Sequence, residues 1–591
     1  MLLPKLNKLN TSREIVDVFQ GYNHNLRIGE GEFFDMTNLS SDSYPVLSPR
    51  LKRGIYATPS APQGMVAKDA LCYVDGSDFI INEHRVPMEL SIDSEPKTLI
   101  SMGAYVIIMP DKKWVNTSPK DDEESFEHGN IEASVTTTST VTFELCKLDG
   151  VGYEGVVTQS TAPLNPANMD LWIDTSSTPH TLNQYSTTNA MWMPIATTYI
   201  KISATGIGEP FAENDGVTIS GIADEGLKDL NGSAVIWARE DDYIVVTGIF
   251  DKATPQESPI TIRRQMPNMD FIIESENRLW GCRYGTALNG EVVNEIYASK
   301  LGDFKNWNCF AGISTDSYAA SVGTDGPFTG AITHLGYPIF FKENYMHKVY
   351  GNYPANYQIQ TTACRGVQKG CERSLAIVNE VLYYKARSGV CAYDGSLPAE
   401  ISSALGDVAY HDAVAGSLGN KYYISMKDDP EDNRGWNLFV YDTLKGMWHR
   451  EDDTQAMAFC NCRGDLYYIE LDKHGQKVIK TVRGTQGVPE SGPVEWEAVT
   501  GIIGTDSPDK KYISRMDVRM SLKVGTRVMF FAEYDSSGEW EYLFAMDGIN
   551  LKSFAIPIRP QRCDHMRLKI IGSGEAKIFS ICKTVEQGSD R

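Results

Sequence analysis

Long apolar runs are missing from this 591-residue chain. No stretch approaches the roughly 18–20 uncharged apolar residues of a membrane-crossing helix, so nothing in it reads as a transmembrane segment. The opening MLLPKLNKLNTSREIVDVFQG reaches Pro4 and Lys5 after three apolar residues. It lacks the apolar centre of a secretory leader, and export by the general signal-peptide route is not expected. Basic residues are in deficit, with 55 Lys and Arg against 77 Asp and Glu and a net charge of −22. Nucleic-acid affinity rests on cations neutralising phosphates, so the balance argues against a dedicated DNA- or RNA-binding role. The 11 cysteines, an odd number spread from Cys72 to Cys582, follow no disulfide framework. They read as buried free thiols made in a reducing cytoplasm. Cys460 and Cys462 sit at strand spacing on one face, and no second Cys or His pair at finger-like spacing accompanies them. Small core residues are expected there, with no metal or other cofactor. Helix signals are scarce: the best stretch, SPDKKYISRMD (507–517), reads as a loop.

Catalytic signatures are equally scarce. There is no Gly-rich loop followed by Lys-Ser/Thr, no His-Glu-x-x-His and no Gly-x-Ser-x-Gly elbow. The ten histidines are scattered. His411-Asp412 could pair a base with an orienting carboxylate, but a relay needs contact through space and not adjacency in sequence. It reads as a turn between repeats. The acidic pairs Asp241-Asp242, Asp428-Asp429 and Asp452-Asp453 read as solvated turn charge, not as the spaced carboxylates of a glycosidase. YDSSGEW (534–540) approaches the Asp-box turn of sialidase-like propellers, yet occurs once and out of order, and reads as a hairpin packing Trp540. No catalytic residue is expected, and no binding residue can be named.

What the chain does have is a repeat. An apolar strand, a tight turn, an aromatic-rich strand, another turn and a third strand recur at 331–351, 374–395, 414–448 and 456–482. The middle strands centre on Phe340, Tyr383, Tyr423 and Tyr467, a period of 43, 40 and 44 residues. Multi-strand repeats of this length are the signature of β-propeller blades. Earlier copies lie at 65–86, 98–118 and 269–310, giving about seven blades. The segment from Ile15 to Tyr56 is the candidate for the strand that closes the ring, which would leave only short protected edges. The recurrent Tyr383-Tyr384, Tyr422-Tyr423 and Tyr467-Tyr468 read as packing between blades, because repetition in every unit suits a core better than a sugar platform.

Between blades the pattern stops. SPKDDEESFEHGN (118–130) reads as a solvated linker, and several β-branched runs follow, including IEASVTTTSTVTFELCKL, GVTISGI, GSAVIWARE and DYIVVTGIF. We read 119–257 as an inserted all-β region in a hairpin of the second blade, with ITIRRQM (260–266) returning to that blade. From about Val488 six strand-like runs suit a β-sandwich. The predicted class is therefore all-β. Residues 1–118 hold the closing segment and first blades, 119–257 the inserted β domain or domains, 258–487 the remaining blades, and 488–591 a β-sandwich-like domain.

Four stretches in this order resemble tailed-bacteriophage structural proteins of the tail nozzle or tail hub class: FQGYNHNLRIGEGEFFDMTNLSSDSYPVLSPR (19–50), SENRLWGCRYG with EIYASKLGDFKNWN (275–308), YPIFFKENYMHKVYGNYPANYQIQ (337–360) and RCDHMRLKIIGSGEAKIFSICKTVEQGS (562–589). They span about half the chain. The resemblance implies a non-catalytic virion protein, made in the bacterial host cytoplasm, that forms a homo-oligomeric ring (a hexamer by family analogy) against adaptor, portal or other tail proteins. DNA would pass through such a ring during ejection without specific binding, and an acidic wall would repel its phosphates. The alternatives are a receptor- or glycan-binding phage propeller whose insertion is the adhesin, and a propeller glycoside hydrolase.

Overall fold

A computed structural model describes residues 11–92, 96–120, 125–252, 254–287, 290–428, 435–472, 474–504, 511–558 and 562–587. Short 3-10 turns apart, the regular structure among these residues is strand. Turn chemistry explains why the repeats fold as hairpins. Asn82-Glu83, Glu276-Asn277, Leu335-Gly336, Asn379-Glu380 and Arg463-Gly464 all have both φ angles positive. Two-residue turns of that kind match the right-handed twist of the strands they join.

Among the described residues seven antiparallel units result, the blades of a β-propeller: five are separate four-stranded meanders, one is part of a ten-stranded sheet and one is a five-stranded sheet. Their first strands are Pro62–Ala67, Thr98–Met102, Phe271–Ser275, Gly330–His334, Ala376–Val378, Tyr410–Leu418 and Ala456–Cys462. We number the blades 1 to 7 in that order. The chain divides into two compact units. One holds blades 1, 5, 6 and 7 with the terminal sandwich, and its first strands adjoin in the order 5, 6, 7, 1. The other, Thr98–Phe340 with His347–Thr361, holds blades 2 and 3, most of blade 4 and the inserted sheets, and its first strands adjoin in the order 2, 3, 4. Apolar side chains between successive blades supply the cores. Leu418, Tyr423 and Val440 of blade 6 meet Leu466 and Tyr468 of blade 7, while Ile100, Ile107 and Trp114 of blade 2 meet Ile272 and Leu279 of blade 3.

Blade 7 takes its fourth strand from the N-terminal part of the chain: Gly54–Ala57 pairs antiparallel with Lys477–Thr481, and Val488–Pro489, expected to open the terminal sandwich, pairs on its far side. The closing strand thus lies at the very end of the segment expected to supply it. The rest of that segment does something else. Thr11–Val16 pairs with Ala576–Gln587, and Glu32–Thr37 pairs with Glu495–Thr500, so both complete the C-terminal β-sandwich. One sandwich sheet holds Thr11–Val16, Ala576–Gln587, Lys511–Leu522 and Lys552–Ile556. The other continues without a break into blade 6. Gly21–Tyr22 lies parallel to Glu32–Thr37 on one side and meets Trp448 of blade 6 on the other, making a ten-stranded sheet. Gly21 is required at the seam, because its φ is +86° and a Cβ would lie 2.3 Å from the Trp448 carbonyl oxygen. The stretch 507–510 of the loop expected at SPDKKYISRMD lies outside the described residues, and the remainder opens the strand Lys511–Leu522.

The insertion also differs from expectation. His128–Asn130, placed in a solvated linker by its acidic neighbours, is the fourth strand of blade 2, with Gly129 opposite Trp114; residues 121–124 of that linker lie outside the described residues. Blade 2 is therefore complete before the inserted sheets begin, and they stand between blades 2 and 3 instead of inside a hairpin. Thr261–Arg264, expected to return to blade 2, pairs with Ala133–Thr136 and Gly216–Ser220. The reason is its alternation: Ile260 and Ile262 are fully buried in the inserted core with Ile200, Ile219, Ile236 and Ile244. A seven-stranded sheet and a four-stranded sheet of Val157–Gln159, Leu171–Asp174, Thr181–Ser186 and Met191–Pro194 make up the region.

Candidate functional site

The residues singled out from sequence are mostly structural. Tyr383, Tyr384, Tyr422, Tyr423, Tyr467 and Tyr468 are all buried. Tyr383 packs on Tyr422 with ring centres 5.4 Å apart, and the Tyr422 hydroxyl donates to the Ser374 carbonyl at 2.7 Å. No tyrosine of these pairs offers a face to a sugar. Cys462 is buried and Cys460 half-buried; burial pushes the thiols of Cys460 and of Cys72 up to about 12. Among the described residues no group of three or more His, Cys, Asp or Glu is placed to hold a metal ion. YDSSGEW is a hairpin turn with Asp535 and Ser536 at positive φ, and Lys569 lies over the half-buried Trp540 ring.

His411-Asp412 is not a turn. It sits in the first strand of blade 6 at a bulge, with Asp412 at φ +51°, and His411 Nδ1 lies 2.9 Å from Asp412 Oδ2. The bulge explains why two sequence neighbours, which would face opposite sides of a regular strand, come into contact. The seven first strands carry two carboxylates between them, Glu274 and Asp412. Glu274 accepts the Asn277 amide at 2.9 Å, closing its own hairpin.

Of the acidic pairs, Asp241-Asp242 is a turn, and Asp242 accepts the Gly206 amide. Asp428 is buried, while Asp429 lies outside the described residues. Asp452 corrects the reading of solvated charge. It sits in a buried cluster where Arg53 reaches Glu451 at 2.6 Å, Asp452 at 2.8 Å and Thr454 at 2.9 Å, and Arg50 reaches Glu490 at 3.1 Å. Burial opposes the Asp452 charge, but Arg53, Thr454 and Arg50 outweigh it and hold the carboxyl at about 2. The cluster fastens the chain entering the closing strand to the loop between blades 6 and 7. Sequence adjacency could not reveal partners some 400 positions away.

A feature with the character of a binding site lies where the inserted sheet meets blade 3. A groove of about 600 Å³ opens there between the two elements. Gly216 of its lining is held by a buried polar knot. Arg264 pairs with Asp215, Asn306 Nδ2 donates to Asp215 at 3.0 Å and to Asp303 at 2.5 Å, and Asn306 Oδ1 accepts the Gly216 amide at 2.8 Å. Arg278 ties the neighbouring loop by donating to the carbonyls of Ser299, Ser314 and Asp316. The Asn-Arg-Leu-Trp and Lys-Asn-Trp-Asn motifs thus carry this local architecture. On the groove wall Asn308 donates to Ser233 at 2.8 Å and to Thr218 at 3.3 Å. Lys112 is held by Glu132 at 2.7 Å and by Asn268 at 3.1 Å. Phe310 is 55% exposed, an unusual position for a phenyl ring, and Tyr297 belongs to the same lining. Sequence reading passed over this site, because its residues come from many separate segments and none belongs to a motif with known chemistry.

No protein-family model matches the chain, and no curated protein sequence does. Several solved structures are similar over about half of the chain. The exo-β-1,3-galactanase of Phanerochaete chrysosporium, solved with galactose, is similar at 10% identity and a TM-score of 0.22, covering 53% of this chain and 94% of its own. The β-propeller domain of the Trilobed protease from Pyrococcus furiosus, described as having an open velcro topology, is similar at 11% identity and a TM-score of 0.23, covering 54% of this chain and 94% of its own. The acylaminoacyl peptidase of Pyrococcus horikoshii is similar at 10% identity and a TM-score of 0.25, and 48% of its length is covered. At these scores the likenesses carry no argument about activity.

Proposed function

We propose that the protein is a structural component of a bacteriophage tail, a ring-forming nozzle or hub subunit located in the virion. The observation that carries this reading is the ten-stranded sheet that runs from blade 6 through Gly21–Tyr22 into the terminal sandwich. Backbone hydrogen bonds across such a seam resist bending far better than a linker does, which suits a part of a load-bearing wall. The four phage-like stretches and the net charge of −22 support the same reading. A closed ring of identical subunits would use heterologous contacts related by rotation. Electron microscopy of the purified protein and of particles that carry it tests this. Six-fold or other closed rings around a channel are expected; a monomer absent from the particles would sink the proposal.

A second reading, a receptor- or glycan-binding role for the insertion, is favoured by the polar groove at its base. A glycoside hydrolase would need two carboxylates about 5–10 Å apart across a sugar. The described first strands offer Glu274 and Asp412, each engaged in its own local hydrogen bond.

A further inference from the structure

The strand Thr261–Arg264 lies between Ala133–Thr136 and Gly216–Ser220, and its register sets a row of small polar side chains on the face turned away from the core. Arg263 stands opposite Ser134 on one side and Thr218 on the other, and Thr218 stands opposite Ser233. One step along, Thr261 stands between Thr136 and Ser220, with the two threonine hydroxyls 3.0 Å apart. Alternation guarantees this segregation, because Ile219 and Ile262 of the same strands point into the core. Hydroxyls on a pleated surface form a flat, hydrogen-bonding wall.

The side chains of Arg263 and Gln265 make no hydrogen bond or ion pair among the described residues, and both are exposed on the groove. The charged residues lining the groove are Lys112, Glu132 and Arg263, one positive charge in excess on a protein that is otherwise strongly acidic. Lys112 is already satisfied by Glu132, which leaves the Arg263 guanidinium, among the described lining residues, as the cation open to a ligand. The exposed Phe310 ring, on the same groove lining, presents an apolar face. A planar fork for a carboxylate, a ring for an apolar face, and amides and hydroxyls for hydroxyls together describe a sugar acid. The buried Asp215–Arg264–Asn306 knot keeps the site preformed, so little ordering is needed on binding.

We infer that this groove binds carboxylated oligosaccharides, with Arg263 on the carboxylate and Phe310 against the sugar ring. The inference rests on the glycan-binding reading and narrows it. The full chain is tested by calorimetry and saturation-transfer NMR against uronate- and sialate-containing oligosaccharides and neutral counterparts of equal length. Carboxylated ligands are expected to bind at least about tenfold tighter than neutral ones, the scale of one charge-assisted hydrogen-bond pair. Arg263→Gln should abolish that preference, and Phe310→Ala should weaken both classes, with thermal unfolding unchanged in each variant because both side chains are exposed. Equal binding of neutral and carboxylated sugars overturns the inference and leaves the glycan reading standing. Binding of neither overturns both, and acidic binding that survives both substitutions places the site elsewhere.

Discussion

Burying Arg53, Glu451 and Asp452 together makes each depend on the others. Removing one partner strands the opposite charge in a dry site, which costs about 3–5 kcal/mol. Arg53→Ala should therefore lower the free energy of unfolding in urea by that amount, whereas exposed Arg263→Gln should leave it unchanged. The same cluster sets a pH response. Asp452 titrates at about 2 in the folded chain, below the ordinary 3.8. Its contribution, about 2 kcal/mol by linkage, is present above pH 4 and is lost as pH falls from there toward 2. His449 acts higher in the scale. Burial, followed by the Lys421 charge, lowers it to about 3. The unfolded chain takes up that proton below pH 6.5 and the folded chain does not until about 3, so stability declines across this window as acid is added. Denaturation curves at pH 7, 5 and 4 should show the decline, and His449→Gln should flatten it between 6.5 and 4. None of this was legible in the sequence, where Asp452-Asp453 looked like any acidic turn.

Elements divide differently. The blade hairpins were legible because turn residues and strand alternation are local properties. The seam at Gly21 and the docking of the insertion were not, since both depend on partners far along the chain. Gly21→Ala puts a Cβ against the Trp448 carbonyl in a backbone region that L-residues avoid. A loss of about 2 kcal/mol or more is expected, with hydrogen exchange rising first at Glu32–Thr37 and Met447–Arg450, the strands that flank the seam. Asn306→Ala takes partners from Asp215, Asp303 and the Gly216 amide at once. A cost of about 1–3 kcal/mol follows, read by thermal unfolding, and exchange should rise at Gly216–Ser220. An unchanged exchange pattern there would show that the knot does not hold the insertion.

At the scale of the whole molecule charge dominates. A chain with 77 acidic against 55 basic side chains carries a net negative charge that opposes the approach of nucleic-acid phosphates. Gel-shift measurements at 150 mM salt should show no retention of duplex DNA, and weaker contact still at lower salt, the opposite of a DNA-binding protein. Among the described residues no helix is long and apolar enough to cross a membrane. The ring that we propose places its demands on surfaces between subunits, and those surfaces are the part of the design that a single chain leaves to assembly.

The sequence by itself determined the strand repeat, its number near seven, the all-β class and the sandwich at the end, because each follows from periodicity, turn chemistry and composition within short windows. Tertiary structure alone decided that Gly54–Ala57 closes blade 7, that residues 11–40 belong with the last hundred, that the inserted sheets follow a finished blade 2, and that Arg263, Phe310 and Asn308 share a groove. The physical reason is the range of the interaction. Backbone alternation is written residue by residue, whereas strand partners, buried ion pairs and groove walls are chosen by whichever distant surfaces fit, and no local pattern records that choice.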